Sequence, residues 1–300
     1  MKKILIYGIA ALLMSACGQT YEEKQRMTRA ERQRLAREDS LALKMAVMPT
    51  LDGMPLYLAK TRGWFDSLNV DVRLKVRNAQ MDCDTALVGG SVEGAVTDVK
   101  RMERMVAQGT PLDSAGQTNA YWQLIANRTV RVKNVSQLGD KMVAMTRYSA
   151  TDYLTDKALE GVKTTSMVFR IQINDVLIRL GMLINNEMDA LWLTEPQATT
   201  ARLYKHIVLK DSRKMGEPLG RVVFTRKAMS DERRRQQIAA MVQGYNRACD
   251  SLNQYGLKNY ADIVATCCHA DAKTLQALPK MTYPHIAVPK WEKKAAKPKK

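Results

Sequence analysis

The feature that most restricts this chain is a repeated switch of hydrophobic period within residues 41–106, from two to between three and four and back. Leu41, Leu43, Met45 and Val47 recur at every second position as in a strand, and Asp52 then offers a helix cap with Pro55 in the first turn and Gly63 near the end. Val70, Val72, Leu74 and Val76 alternate with charged residues over a second strand. A helix follows from about Asp82, a short strand at "EGAV" delivers Thr97 and Asp98 at its tip, and Val99, Met102 and Val106 mark the buried stripe of another helix. Strands that alternate with helices in this way pair in parallel, and the crossover helices cover the faces of the sheet.

The pattern restarts after "YWQLIANR" and "VSQLGDK". Met142 to Met145 reads as a strand, Ser149 as the N-cap of a helix with Asp152 placed to close a capping box, and a further helix runs from Asn174 with Val176, Leu180, Leu183 and Ile184 on one face. In "DALWLTEPQA" a buried strand turns directly into a helix: Thr194 is an acceptable N-cap, Glu195 suits the positive end of the helix dipole, and Pro196 is tolerated in the first turn. "HIVLKD" is another strand, "GRVVFTRKAM" one that returns to the first unit, and the rest is helical, with Ile238, Met241, Tyr245 and Leu252 on a buried stripe. Eighteen methionines fall at these core spacings and act as filler. A chain of 300 residues with 46% hydrophobic content therefore divides into two α/β lobes: residues 41–120, then 121–215, with 216–288 returning to the first.

The ends differ in kind. Residues 1–16 carry Lys2 and Lys3, an apolar stretch from Ile4 to Met14, and the small residues Ser15 and Ala16, the parts of a secretory signal. The apolar stretch, at about 11 residues, is too short for a bilayer, which needs about 20. Cys17 follows at once, a charged tether covers residues 17–40, and residues 289–300 form a basic tail. The formal charge is +17, and loss of the two leader lysines lowers it to +15. The cations are scattered apart from "RKAMSDERRR" and the tail, and neither run holds the interleaved aromatics of a nucleic-acid platform. A solvated basic face, or one that meets anionic lipid, is the better inference. For Cys83, Cys249, Cys267 and Cys268, export permits a bridge from Cys249 to Cys267 or Cys268, and free buried thiols are an equal alternative. "CCH" at 267–269 lacks a second ligand pair and makes no metal site.

Four junctions of loop and helix N-terminus face the cleft between two such lobes: "PTLDGMP", Thr97 with Asp98, "RYSAT" and "LTEP". Free backbone N–H groups and the helix dipole there hold polar or anionic groups. "PTLDGMPLYLAKTRGWF", "GGSVEGAVTD", "LGDKMVAMTRYSATDYL" and "NEMDALWLTEPQATTAR", in this order, resemble the extracytoplasmic solute-binding proteins of ABC importers, in the branch that binds sulfonates, taurine, nitrate or the pyrimidine precursor of thiamine. "LLMSAC" likewise resembles a lipoprotein box whose cysteine is acylated.

The resemblance implies a two-lobed periplasmic-binding-protein-like α/β fold of type II, each lobe a mostly parallel sheet flanked by helices. It implies a monomer, lipid-anchored at the cell envelope, that delivers a small molecule to a membrane permease without cofactor, metal, nucleic acid or catalysis. Carried over by position, the ligand would meet Leu51, Asp52, Thr97, Asp98, Ser149, Ala150, Thr151, Thr194 and Glu195. Asp98 and Glu195 would accept from a donor on the ligand while the helix entered at Ser149 holds its acceptor end. A molecule with both an amine and an oxyanion, or a nitrogen heterocycle, would satisfy both; alternatively one or two of these acids only cap helices. Two other readings stay open: an enzyme of the same fold in cofactor-precursor biosynthesis, and a former binder that now serves as a surface interaction protein. His206, His269 and His285 stand apart from the four junctions, which disfavours the enzyme.

The lipid anchor gives the first test. Labelled palmitate should mark the wild-type chain and leave Cys17→Ser unmarked; equal labelling of the two would remove the anchor.

Overall fold

The computed structural model describes residues 28–216 and 218–291. The expected leader, Cys17 and most of the basic tail lie outside them. The chain divides into two compact units, with the break after Ala42. In the first, α1 spans Arg29–Leu41. Its Thr28 cap accepts from the Glu31 N–H at 3.2 Å, and the Glu31 carboxylate accepts from the Thr28 N–H at 2.9 Å. This capping box, followed by Ala, Arg, Gln, Leu and Glu, makes part of the expected tether helical. Leu41 ends that helix, and the first strand starts two residues later.

The second unit holds two five-stranded sheets. β1 (Leu43–Val47), β2 (Val72–Val76), β3 (Gly94–Asp98), β4 (Leu112–Gln117) and β10 (Gly220–Thr225) form the sheet of lobe 1, in the order β2-β1-β3-β10-β4. β5 (Gln123–Ala126), β6 (Met142–Met145), β7 (Phe169–Gln172), β8 (Ala190–Leu193) and β9 (Ile207–Asp211) form that of lobe 2, in the order β7-β6-β8-β5-β9. The two patterns correspond strand for strand. In each, one strand runs antiparallel to its neighbours and enters from beyond the other lobe: β10 in lobe 1, β5 in lobe 2. The chain therefore crosses between lobes twice, at residues 118–122 and 212–219.

Period-two alternation makes each sheet two-faced. Met45 and Phe224 pack on one side of the first sheet with Leu56, Met241 and Tyr245, while Ala46 and Val223 pack on the other with Leu87 and Met105. Leu124, Val143 and Trp192 face Leu154 on one side of the second sheet; Ile125, Ala144 and Leu191 face Leu183 on the other. The covering helices are α2 (Met54–Thr61), α3 (Gln80–Val88) and α4 (Val99–Ala107) in lobe 1, and α5 (Ala150–Leu159), α6 (Val176–Ile184) and α7 (Gln197–Leu203) in lobe 2. α8 (Arg226–Ser230), the long α9 (Glu232–Tyr255), α10 (Ala261–Cys268) and α11 (Ala272–Ala277) complete the helices among the described residues.

Several helix starts differ from expectation. Asp52 does not cap α2: residues 51–53 make a 3-10 turn, Gly53 is the N-cap, and Asp52 accepts from the Thr50 hydroxyl at 2.6 Å. Thr194 does not cap α7, which begins two residues later behind Pro196, with the Glu195–Pro196 peptide cis. Ser149 does cap α5, but Asp152 accepts from the Tyr148 N–H instead of closing a box on Ser149. On α4 the buried stripe is Arg101 and Met105, one turn apart, and Val106 is exposed; a buried ion pair between Arg101 and Asp84 turns the helix that way.

The two crossings are bonded to each other. Thr118 N–H donates to Gly220 O at 3.1 Å, Ser212 N–H to Trp122 O at 2.9 Å, and Trp122 N–H to Ser212 Oγ at 2.9 Å. A Cβ on Gly220 would overlap Thr118 Oγ1 and lie 2.7 Å from Ala120 Cβ, so this position needs glycine for closeness of approach. Gly220→Ala should therefore spread the crossings and destabilise the fold by about 1 to 3 kcal/mol, read as a lower denaturation midpoint. An unchanged midpoint would show that the crossings are not packed this tightly.

Candidate functional site between the lobes

The strand tips of both sheets converge on a narrow cavity of about 30 Å³. Lobe 1 lines it with Met48, Thr50, Asp52, Gln80 and Thr97; lobe 2 and the first crossing supply Trp122, Val176, Arg179, Trp192 and Thr194. Asp52 reaches it from the 3-10 turn and keeps part of its surface open, while the surrounding protein raises its pKa above the usual carboxylate value, burial outweighing the Thr50 bond. Thr97 is buried and its Oγ1 has no protein partner.

Arg179 is placed by the start of α6. Asp175 caps that helix through the N–H groups of Leu177 and Ile178, and Val176 N–H donates across the lobes to Asn78 O at 3.1 Å. One turn on, Arg179 is 3% exposed; its guanidinium donates to Trp192 O at 2.9 Å and to Thr146 Oγ1 at 3.4 Å and leaves Nε unpaired. It joins no ion pair among the described residues, and burial pushes its pKa down to about 10, with the Asp175 charge opposing. A buried cation with unused donor capacity suits an acceptor group.

Of the residues carried over from the sequence, Asp52, Thr97 and Thr194 line this cavity and the others do not. Asp98, Ser149, Ala150 and Thr151 come together in a separate cluster. Asp98 is fully buried, and its carboxylate accepts from Arg101 N–H at 3.0 Å, from Gln80 Nε2 at 2.8 Å, and from the backbone N–H of Ala150 and Lys100. It thus caps α4 in its own lobe and meets the first residue of α5 in the other. Ser149 Oγ donates to Thr146 O at 2.7 Å and accepts from Thr151 N–H at 3.1 Å; Thr151 Oγ1 accepts from Thr146 N–H at 2.9 Å. The start of α5 is occupied by the protein's own carboxylate and hydroxyls.

Glu195 serves the crossing. Its Oε1 accepts from Tyr121 Oη at 2.6 Å and Arg202 Nη2 at 2.8 Å, and its Oε2 from Thr199 N–H at 3.0 Å and Thr199 Oγ1 at 2.6 Å. Leu51 N–H donates to the Glu195 carbonyl at 2.9 Å, so Leu51 contributes backbone only. The expectation that Asp98 and Glu195 accept from a ligand is corrected in this respect: both carboxylates are saturated by protein donors. Sequence reasoning missed Arg179, whose signal was an arginine on the apolar stripe of Val176 and Leu183, and missed Gln80, Trp122 and Trp192.

Cys83, Cys249, Cys267 and Cys268 are free thiols, and burial pushes Cys83 and Cys249 up to about 12. Among the described residues no group of three or more His, Cys, Asp or Glu is placed to hold a metal.

The model of a family described as NMT1/THI5 like matches residues 51–276. The chain belongs to the NMT1/THI5-like family. No curated protein sequence matches this member. In structure it is similar to the periplasmic nitrate-binding protein NrtA from Synechocystis PCC 6803, with TM-score 0.68, 15% identity, and coverage of 78% of this chain and 68% of that one. It is similar to the ligand-binding component of an ABC-type import system from Staphylococcus aureus with zinc bound, at TM-score 0.66, 15% identity, and coverage of 82% and 86%. The periplasmic aliphatic sulphonate binding protein SsuA from Escherichia coli gives TM-score 0.64 and 18% identity, over 81% and 85%. This NMT1/THI5-like chain therefore has the two-lobed periplasmic-binding-protein fold.

Burial outweighs the donors around Asp98 and pushes its pKa up to about 6. A raised carboxylate pKa contributes stability that is full below the unfolded value, about 4, and is lost as pH rises through the folded one. Melting of the wild type should therefore fall relative to Asp98→Asn between about pH 4 and pH 7. Parallel pH profiles for the two proteins would mean that Asp98 is ionised throughout.

Proposed function

We propose that the chain is a lipid-anchored monomer that captures one small polar molecule between its lobes, without transforming it, and delivers it to an ABC permease at the cell envelope. One observation carries this reading: residues from both lobes line the narrow cavity at the strand tips, and two of them, Thr97 and Arg179, bring buried polar atoms with no protein partner. Arg179 suits the acceptor end of a ligand and Asp52 its donor end, as an amine with an oxyanion or a nitrogen heterocycle requires. That neighbours of this fold bind nitrate and aliphatic sulphonates supports a small polar solute. The non-catalytic reading draws on the same neighbours and on the histidines: His206 accepts from Arg128 N–H, His285 lies beside Asp250, and neither lines the cavity.

A second reading has its own support. At about 30 Å³ the cavity is far below the roughly 300 Å³ at which small-molecule sites begin, which favours a former binder whose lobes have closed on themselves. A thermal screen of amino-sulfonates, pyrimidines and simple anions separates the two. A ligand at a hundred times its dissociation constant should stabilise the fold by about 2.7 kcal/mol. Thr97→Val should then weaken binding about fivefold to tenfold and leave the unliganded melting temperature unchanged or higher, since it removes an unpaired buried hydroxyl. No shift with any compound supports the former binder, and product formation in the same incubations supports an enzyme.

A further inference from the structure

A second, larger cavity of about 500 Å³ opens between the lobes on the outer side of α3 and α4, and the loop from β6 to α5 forms its opposite wall. Its lining includes three arginines, Arg101, Arg104 and Arg147, and one carboxylate, Asp84. Arg101 is 5% exposed; it pairs with Asp84, donates from Nη1 to Arg147 O of the other lobe at 3.1 Å, and leaves Nε without a partner. Arg104 stacks on the Tyr148 ring with its guanidinium carbon 3.7 Å from the centroid, and the Arg147 guanidinium lies 5.9 Å from the same centroid. Three guanidinium groups thus face one cavity with a single carboxylate to balance them. Burial first and the Arg104 charge second push the pKa of Arg101 down to about 10.

We propose that this cavity is a binding site for a small polyanion, a molecule with two or more negative charges on oxyanion groups, which bridges the lobes. Two uncompensated guanidinium groups set the charge of the occupant. Their planar forks match oxyanions in a bidentate manner, and the volume lies in the range of small-molecule sites, well short of what a peptide segment needs. Because Arg104 belongs to lobe 1 and Arg147 to lobe 2, an occupant favours the closed arrangement. The site stands independently of whatever the inner cavity holds.

The test is calorimetric titration of the mature chain with inorganic pyrophosphate, and separately with citrate, with ionic strength matched by sodium chloride. The expected result is saturable one-to-one binding below about 1 mM, weakened at least tenfold in Arg104→Gln/Arg147→Gln and retained in Lys258→Ala/Lys273→Ala, which removes two exposed charges elsewhere. Equal weakening in both double variants would reduce the effect to net charge, and absence of saturation at 10 mM would remove the site; either overturns the proposal. Loss of pyrophosphate binding in Arg179→Ala, with Arg104→Gln/Arg147→Gln unaffected, would place the anion in the inner cavity, overturning this proposal and leaving the proposed function intact.

Discussion

The structure turns on one buried carboxylate. Asp98 has no exposed surface, and a charge in that position is tolerable only with hydrogen-bond donors around it, since an uncompensated ion in a protein interior costs several kcal/mol. The donors come from three elements: the first turn of α4, the side chain of Gln80 on α3, and the first N–H of α5 in the other lobe. A single group therefore fixes two helices of lobe 1 relative to each other and ties them to lobe 2. Were the lobes to part, Asp98 would lose the Ala150 N–H and gain water in its place. The closed arrangement is held by the protein's own anion at a helix start where a free anion would otherwise be welcome.

Glu195 does for the crossings what Asp98 does for the lobe contact. Tyr121 belongs to the first crossing, Thr199 and Arg202 to α7, and Leu51 to lobe 1, and all four bond the one residue. Together with the bonds that join Thr118 to Gly220 and Trp122 to Ser212, this braces the two crossings where they meet, and the packing there admits no side chain at Gly220.

Much of this architecture was legible in the sequence, because sheet faces are written in period two. β1 to β3, β6, β8, β9 and β10 fall where alternation or short apolar runs place them. α1 was obscured because it buries no residue and so carries no apolar stripe, and only the Thr28 and Glu31 pair marks its start. The acids at strand tips were recognisable as important positions, but a residue that caps a helix and one that meets a ligand belong to the same chemical type. What decides between them is the set of donors that tertiary structure brings up, such as Tyr121 for Glu195 and Gln80 for Asp98. Arg179 was hidden for the opposite reason: an arginine among apolar residues reads as a helix edge until Trp192 and Thr146 are seen around it.

The same bonds limit what the inner cavity can hold. Besides the Asp98 contact, the closed lobes share Leu51 N–H to Glu195 O, Gln197 Nε2 to Pro49 O at 2.8 Å, Val176 N–H to Asn78 O, and Arg101 Nη1 to Arg147 O. At a net of about 1 kcal/mol each, these amount to a few kcal/mol in favour of closure without any solute. A solute that fits within about 30 Å³ can be enclosed with all of them re-formed. A larger one must hold the lobes apart and forfeit some, so each lost bond weakens its binding several-fold. On the proposed function, selection by size follows from contacts the protein makes with itself, and polarity is left to Arg179, Thr97 and Asp52.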